Sequence, residues 1–254
     1  MIISKKIKVN SSHKIFFKKN GYVVLKNVIN SKIISLLKLE IEKSKNVEVY
    51  FDKKNKIRRI EKIYNKGFYL KKLNLEFMRI LRMIFKKSFV IFKDKYNTKP
   101  PGGEGFYAHY DGVFKFIDKN QKIKNGWYYY GSFFVNTLLA LDKTTKKNGA
   151  LEIAKADKGG FHKLYKNTKK NGTPDILKTV EKKKKFNLIK LDKGDVVIFS
   201  NTCAHRSKKN LSLSHRRSLY YTYSLKTNGS KYNLYFLDKK NSKNKNSKSL
   251  SGEV

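Results

Sequence analysis

The amino-acid sequence predicts an α+β fold in which early helices flank an antiparallel β-sandwich or jelly roll. Three observations predict it. Before residue 90 apolar residues recur at helical spacing, and beyond Gly102 they fall into short β-branched and aromatic runs separated by turn-forming stretches. The third is that His205, far in sequence from His109 and Asp111, follows a strand-like run, so a folded sheet could carry it back to meet them.

Taken in order, Tyr22–Leu25 reads as the first strand, and Ser31 stands where it can cap a helix carrying Ile33, Ile34, Leu37 and Ile41 on one face. A second helix is expected over 73–86, with Leu73, Phe77, Ile80, Leu81 and Ile84 forming its stripe. Both stripes read as core-packing faces. Strands are then expected at 106–109, 128–141, 151–154, 186–191, 195–199, 217–225 and 232–237. Residues 142–148 and 163–185 read as loops, the second long enough for a lid.

At 254 residues the chain is long enough for one full core, so residues 1–238 are expected to form a single domain. Residues 239–254, rich in Lys, Asn and Ser, are expected to be a disordered basic tail. The one cysteine, Cys203, excludes an intramolecular disulfide and reads as a buried packing thiol. No apolar run approaches the roughly eighteen residues of a membrane span, and the lysine-rich start lacks a signal-peptide stretch. A cytoplasmic protein without a membrane partner is the expectation.

The formal charge is +40, which invites a nucleic-acid or polyanion reading. Only seven of the 59 basic residues are Arg, however, and the lysines spread along the whole chain. Specific recognition of phosphate and base edges favours the planar Arg fork, so no specific nucleic-acid partner is expected. The accompanying wealth of Asn, Ile, Tyr and Phe is what an AT-rich coding sequence produces. The charge still favours encounters with small anionic substrates.

His109-Tyr110-Asp111 places an imidazole and a carboxylate two residues apart, hence on one side of an extended strand. His205 follows the strand-like run 195–199 and completes a set of two imidazoles and one carboxylate. Such a set leaves open positions and suits a non-haem iron. Taken alone, His-x-Asp is a weak signal; the Gly-rich turn before it and Arg216, eleven residues after His205, strengthen it. His162 is a rival ligand of low weight, His13 reads as solvated, and His215 should face away from Arg216.

These residues resemble the phytanoyl-CoA dioxygenase-like branch of the iron(II)- and 2-oxoglutarate-dependent oxygenases. Lys193-Gly194-Asp195-Val196-Val197-Ile198-Phe199, then His205, Asn210 and Arg216, is similar to that family's stretch from a Gly-Asp-Val strand to the distal ligand and co-substrate arginine. Asn148-Gly149-Ala150-Leu151-Glu152 and the opening Phe17 to Leu25 also match, so the resemblance covers roughly residues 15 to 225. Where the family commonly reads Pro-Gly-Ser-His, this chain has Ala156 to His162, a different local turn.

The resemblance implies a double-stranded β-helix core with flanking N-terminal helices. It implies Fe(II) on His109, Asp111 and His205 as the catalytic centre, 2-oxoglutarate as co-substrate, and O₂. Arg216 would grip the distal carboxylate, with Ser218 adding a hydroxyl from the same strand face. Retention of Asp111 favours hydroxylation over halogenation. The implied reaction hydroxylates a small anionic or polar metabolite and releases succinate and CO₂.

For the substrate, Tyr107, Tyr110, Trp127 and Tyr128 flank the metal segment and are expected either to line a pocket or to pack the sheet. Lys99, Lys115 and Asn136 lie near the same segments and are candidates to meet a carboxylate or phosphonate. Two rivals stand beside this reading. One is a non-catalytic basic protein that binds polyanions or nucleic acid; the other is a metal-binding jelly roll without oxygenase chemistry, which the intact ligand set disfavours.

Overall fold

A computed structural model describes residues 9–52, 54–118 and 120–245. The chain opens with α1 (Ser11–Asn20), β1 (Tyr22–Leu25), α2 (Ser31–Glu42), β2 (Glu48–Phe51), β3 (Ile57–Glu61), α3 (Phe68–Phe85) and β4 (Phe89–Lys99). It continues through β5 (Phe106–His109), β6 (Phe116–Ile117), β7 (Ile123–Lys124), a 3-10 turn at Gly126–Tyr129, β8 (Phe134–Ala140) and β9 (Leu151–Ala156). Then follow α4 (Phe161–Tyr165), α5 (Lys178–Lys182), β10 (Asn187–Leu188), β11 (Val196–Ser200), β12 (Cys203–Ser207), β13 (Arg216–Leu225) and α6 (Tyr232–Lys245).

The helix ends follow local chemistry. Asn10 accepts the His13 amide while the His13 ring accepts from the Asn10 amide, a reciprocal cap that starts α1. Gly21 stops it in the left-handed region at φ 79°, where a Cβ would meet Ala156 Cβ at 2.2 Å. The Glu40 carboxylate on α2 accepts the amides of Tyr69 and Leu70 at 3.0 and 2.9 Å and so caps α3.

Seven strands form one sheet in the order β1-β11-β8-β13-β4-β3-β2, and four form a second in the order β10-β9-β12-β5. Every pairing in them is antiparallel. Alternation gives the large sheet two different faces. Leu219, Tyr221 and Tyr223 of β13 join Ile34 and Leu37 of α2 and Phe77 and Leu81 of α3 in the main core. Tyr220 turns the other way and packs with Leu138, Leu151, Ile153 and Phe199 between the sheets. The result is the expected jelly-roll core with helices on one face.

Several boundaries differ from expectation. Asn30, not Ser31, caps α2, its side chain accepting the Ile33 amide at 2.9 Å. α3 begins five residues early, and residues 126–129 form a 3-10 turn before β8. The expected strand at 232–237 is helical: Tyr232, Tyr235 and Phe236 are buried at helical spacing while Leu234 and Leu237 are exposed. That helix carries through 245, so the expected tail does not start at 239; its remainder lies outside the described residues. β4 was not expected, because Lys93, Asp94, Lys95 and Lys99 interrupt any apolar pattern. Among the described residues no helix is long and apolar enough to cross a membrane.

Candidate active site

The small sheet pairs β5 with β12 so that His109 and His205 stand directly opposite, their ring centroids 4.2 Å apart. Asp111 lies two residues past His109, where its amide donates to the Asn201 carbonyl at 3.2 Å. Its Oδ2 is 3.7 Å from Nε2 of His205, and its Oδ1 is 4.0 Å from Nε2 of His109. One donor atom from each residue lies within 4.8 Å of the others, a span that a single ion can bridge.

Each ring is oriented by its other nitrogen. Nδ1 of His109 is 2.7 Å from the Tyr107 carbonyl and Nδ1 of His205 is 3.0 Å from the Cys203 carbonyl. A carbonyl accepts only, so the proton sits on Nδ1 and the Nε2 lone pair faces the shared space. Burial, reinforced by His109, pushes the His205 pKa down to about 3 against the pull of Asp111. Burial likewise lowers His109. Burial acting by itself would raise Asp111, but His205, Lys95 and His109 outweigh it and hold the carboxyl below its usual range. Two neutral imidazoles and a carboxylate are the forms a divalent cation requires.

Supports close around this group. Asn136 donates to Oδ2 of Asp111 at 2.8 Å and accepts the Thr222 hydroxyl at 2.6 Å. Gly112 at φ 77° lets the turn after Asp111 press on Trp127, whose ring would lie 2.3 Å from any Cβ there. Arg216, 4 % exposed at the start of β13, lines the same cavity. Its Nη1 is 3.3 Å from Ser218 Oγ, and its Nε is buried without a hydrogen-bond partner among the described residues. A buried guanidinium with an unsatisfied donor fits an incoming carboxylate.

Of the residues expected near the substrate, Trp127 lines the cavity and the others do not. Tyr107 is exposed beneath Lys169, and the Lys115 ammonium lies 5.2 Å from the Tyr165 ring. Tyr110 is fully buried in a separate cluster with Ala108, Val113 and Phe161, its hydroxyl donating to Asp157. Tyr128 packs on Phe161 and accepts from Asn201 at 3.3 Å. Lys99 is buried and donates to Ser207 Oγ at 2.9 Å and the Lys208 carbonyl at 2.5 Å. Asn136 serves Asp111, as described. His162 and His215 are exposed, His13 caps α1, and Cys203 is buried against the Gly21 carbonyl.

Sequence reasoning missed the cavity wall made by Arg59, Lys93, Lys95 and Asn97. The sequence carries no alternation that would reveal it, since residues 93–99 are polar at every position but Tyr96.

A family model described as phytanoyl-CoA dioxygenase (PhyH) matches residues 17–218. Among curated proteins, the chain is 29% identical over 151 residues to 2-aminoethylphosphonate dioxygenase of an uncultured bacterium (HF130_AEPn_1), covering 59% of this chain and 52% of that protein. It is 28% identical over 158 residues to methylphosphonate hydroxylase of Gimesia maris, covering 60% and 52%. The chain spans about half the length of the curated relatives it matches. The non-heme alpha ketoglutarate dependent carbocyclase SnoK superposes with a TM-score of 0.66 at 14% identity, covering 85% of this chain and 84% of SnoK. EctD from S. alaskensis, solved with 2-oxoglutarate and 5-hydroxyectoine, gives 0.66 at 15%, covering 89% and 81%. At such identities the likeness is one of fold.

Proposed function

The chain belongs to the phytanoyl-CoA dioxygenase family, and from that premise we propose that it is an Fe(II)- and 2-oxoglutarate-dependent dioxygenase hydroxylating a C–H bond of a small polar or anionic metabolite. The convergence of His109, Asp111 and His205 in one cavity with Arg216 carries this reading. Two of the relatives are named for phosphonates, which agrees with a small anionic substrate.

In this reading His109, His205 and Asp111 hold the iron, and Arg216 with Ser218 holds the distal carboxylate of 2-oxoglutarate. Bound there, iron supplies the oxidising chemistry by which R–H, O₂ and 2-oxoglutarate become R–OH, succinate and CO₂. The protein's own residues do the positioning. The Tyr107 and Cys203 carbonyls keep both Nε2 atoms free for metal, and Asn136 fixes the carboxylate of Asp111. Phe106, Trp127 and Leu151 line the cavity and limit water around the reacting group. Fe(II) and a lone, buried thiol both suit a reducing compartment, so the reading assigns the enzyme to the cytoplasm.

The test needs no substrate. Fe(II) and then 2-oxoglutarate are added without oxygen, and the charge-transfer absorption of a chelated 2-oxo acid is followed. The band should form in the unsubstituted protein and vanish in His109→Ala and Asp111→Ala. A protein that develops no band under these conditions is not this enzyme.

A further inference from the structure

Beyond the metal group, the cavity wall contributed by β3 and β4 is cationic. Residues two apart on a strand share a face, so Lys93, Lys95 and Asn97 of β4 all turn inward, and Arg59 of β3 pairs with Asn97 in register. Lys239 of α6 joins them at the cavity. Glu61 is the carboxylate that answers this group: it lies 3.5 Å from Arg59, 3.5 Å from Lys93, and is ion-paired to Lys239. Among the described residues, Glu61 is thus an ion-pair partner common to all three cations.

Lys95 is not among its partners. Among the described residues it makes no ion pair or hydrogen bond, and its Nζ rests 4.8 Å from the Tyr220 ring centroid. Burial, with Lys93 and Arg59 adding to it and Asp111 opposing, brings its ammonium down to about 8, as expected for a cation without a counterion. Buried charge is costly unless paired, so a wall this rich in cations is complementary to an anion carrying more than one charge. Arg216 stands on β13 and, in the reading above, is committed to the co-substrate.

We propose that Lys95, Lys93 and Arg59 form a dianion subsite, separate from Arg216, that binds the tetrahedral phosphonate or phosphate group of a small substrate and thereby sets which C–H bond faces His109, Asp111 and His205. The subsite rests on the iron reading of those three residues. A single carboxylate offsets one charge, whereas a –PO₃²⁻ group offsets two and offers three oxygens to convergent donors. Its recognition therefore discriminates substrates by charge as well as by size.

Calorimetric titration of methylphosphonate, methyl phosphate and acetate into the anaerobic protein loaded with Fe(II) and 2-oxoglutarate tests it. Both dianions should bind, with acetate at least tenfold weaker. Lys95→Met should weaken the dianions at least tenfold while the 2-oxoglutarate band persists and the melting temperature stays level or rises, because no ion pair is lost. Lys95→Arg should recover most of the affinity. Succinate formed with methylphosphonate identifies a phosphonate substrate, and succinate formed with methyl phosphate alone identifies a phosphate ester. Equal dianion affinity in Lys95→Met, or acetate binding as tightly as methylphosphonate, overturns the subsite. A normal band without dianion affinity does so too, and leaves the iron reading standing; a missing band in the unsubstituted protein removes that reading and the subsite with it.

Discussion

The side chain of Asn136 ties Asp111 to the large sheet: its amide donates to Oδ2 at 2.8 Å, and its oxygen takes the Thr222 hydroxyl at 2.6 Å. An ionised carboxylate only accepts, so the amide presents its NH₂ to Asp111 and its oxygen to Thr222, whose hydroxyl can serve either end. A strand of one sheet thereby orients a ligand candidate carried by the turn after a strand of the other.

Asn136→Ala should therefore weaken metal affinity by about 10–100-fold, the usual cost of losing such an orienting partner. Anaerobic titration with Fe(II) or Co(II) measures it. Undiminished affinity would mean that Asp111 is held by its backbone alone.

For Arg216, the expected consequence is confined to the co-substrate. Arg216→Ala should raise the 2-oxoglutarate concentration at half-saturation of the charge-transfer band by about 30–150-fold, equivalent to about 2–3 kcal/mol, with iron still bound. Arg216→Lys should restore little, since an ammonium lacks the two-pronged geometry. If the alanine variant saturates at the same concentration, the diacid is gripped elsewhere.

Lys99 supplies a pH signature. Burial, together with the nearby Arg216 and Arg58, brings its pKa down to about 5. Between about pH 5 and the ordinary lysine value of about 10.4, the unfolded chain binds a proton that the folded chain does not, so stability rises with pH. One proton corresponds to about 1.4 kcal/mol per pH unit. Urea unfolding of the wild type and Lys99→Met across pH 6 to 9 should give a stability difference that changes with about that slope in favour of the wild type. Parallel curves would show Lys99 charged in the fold.

Tyr110 separates packing from substrate contact. Its hydroxyl donates to Asp157, which also pairs with Lys184 at 2.5 Å, fastening the 157–184 segment beside the small sheet. Tyr110→Phe should cost about 1 kcal/mol of stability and leave kcat/KM unchanged. A large fall in kcat/KM at normal stability would return Tyr110 to the substrate.

Much of this architecture is legible in the sequence. β1 and β5 appear where the short β-branched and aromatic runs put them, and the apolar stripes of α2 and α3 pack as expected. The set His109, Asp111 and His205 was accessible from residue type and chain order, but its geometry was not: Asp111 sits in the turn beyond β5, and His205 stands on β12, where no strand was expected, while the run 195–199 is β11 of the other sheet. The cavity wall was not accessible. Lys99, Lys115, Tyr107 and Tyr110 were selected for nearness in sequence, whereas the wall is assembled by register, Arg59 opposite Asn97 and Lys95 opposite Tyr220. A strand that buries lysine gives no apolar alternation to detect, and α6 was misread because three aromatic residues in five suit either period.

β4 turns Lys93, Lys95 and Asn97 to one side, while Phe92 and Tyr96 belong to the core on the other. Sliding it one residue along β13 would exchange the two sets, driving ammonium groups beneath the helices and aromatic rings into the wet cleft. The same side chains that colour the cleft basic therefore act as the strand's alignment key. Neutralising several of them together would cost faithful pairing as well as the dianion recognition proposed above, so the two properties are coupled in one strand.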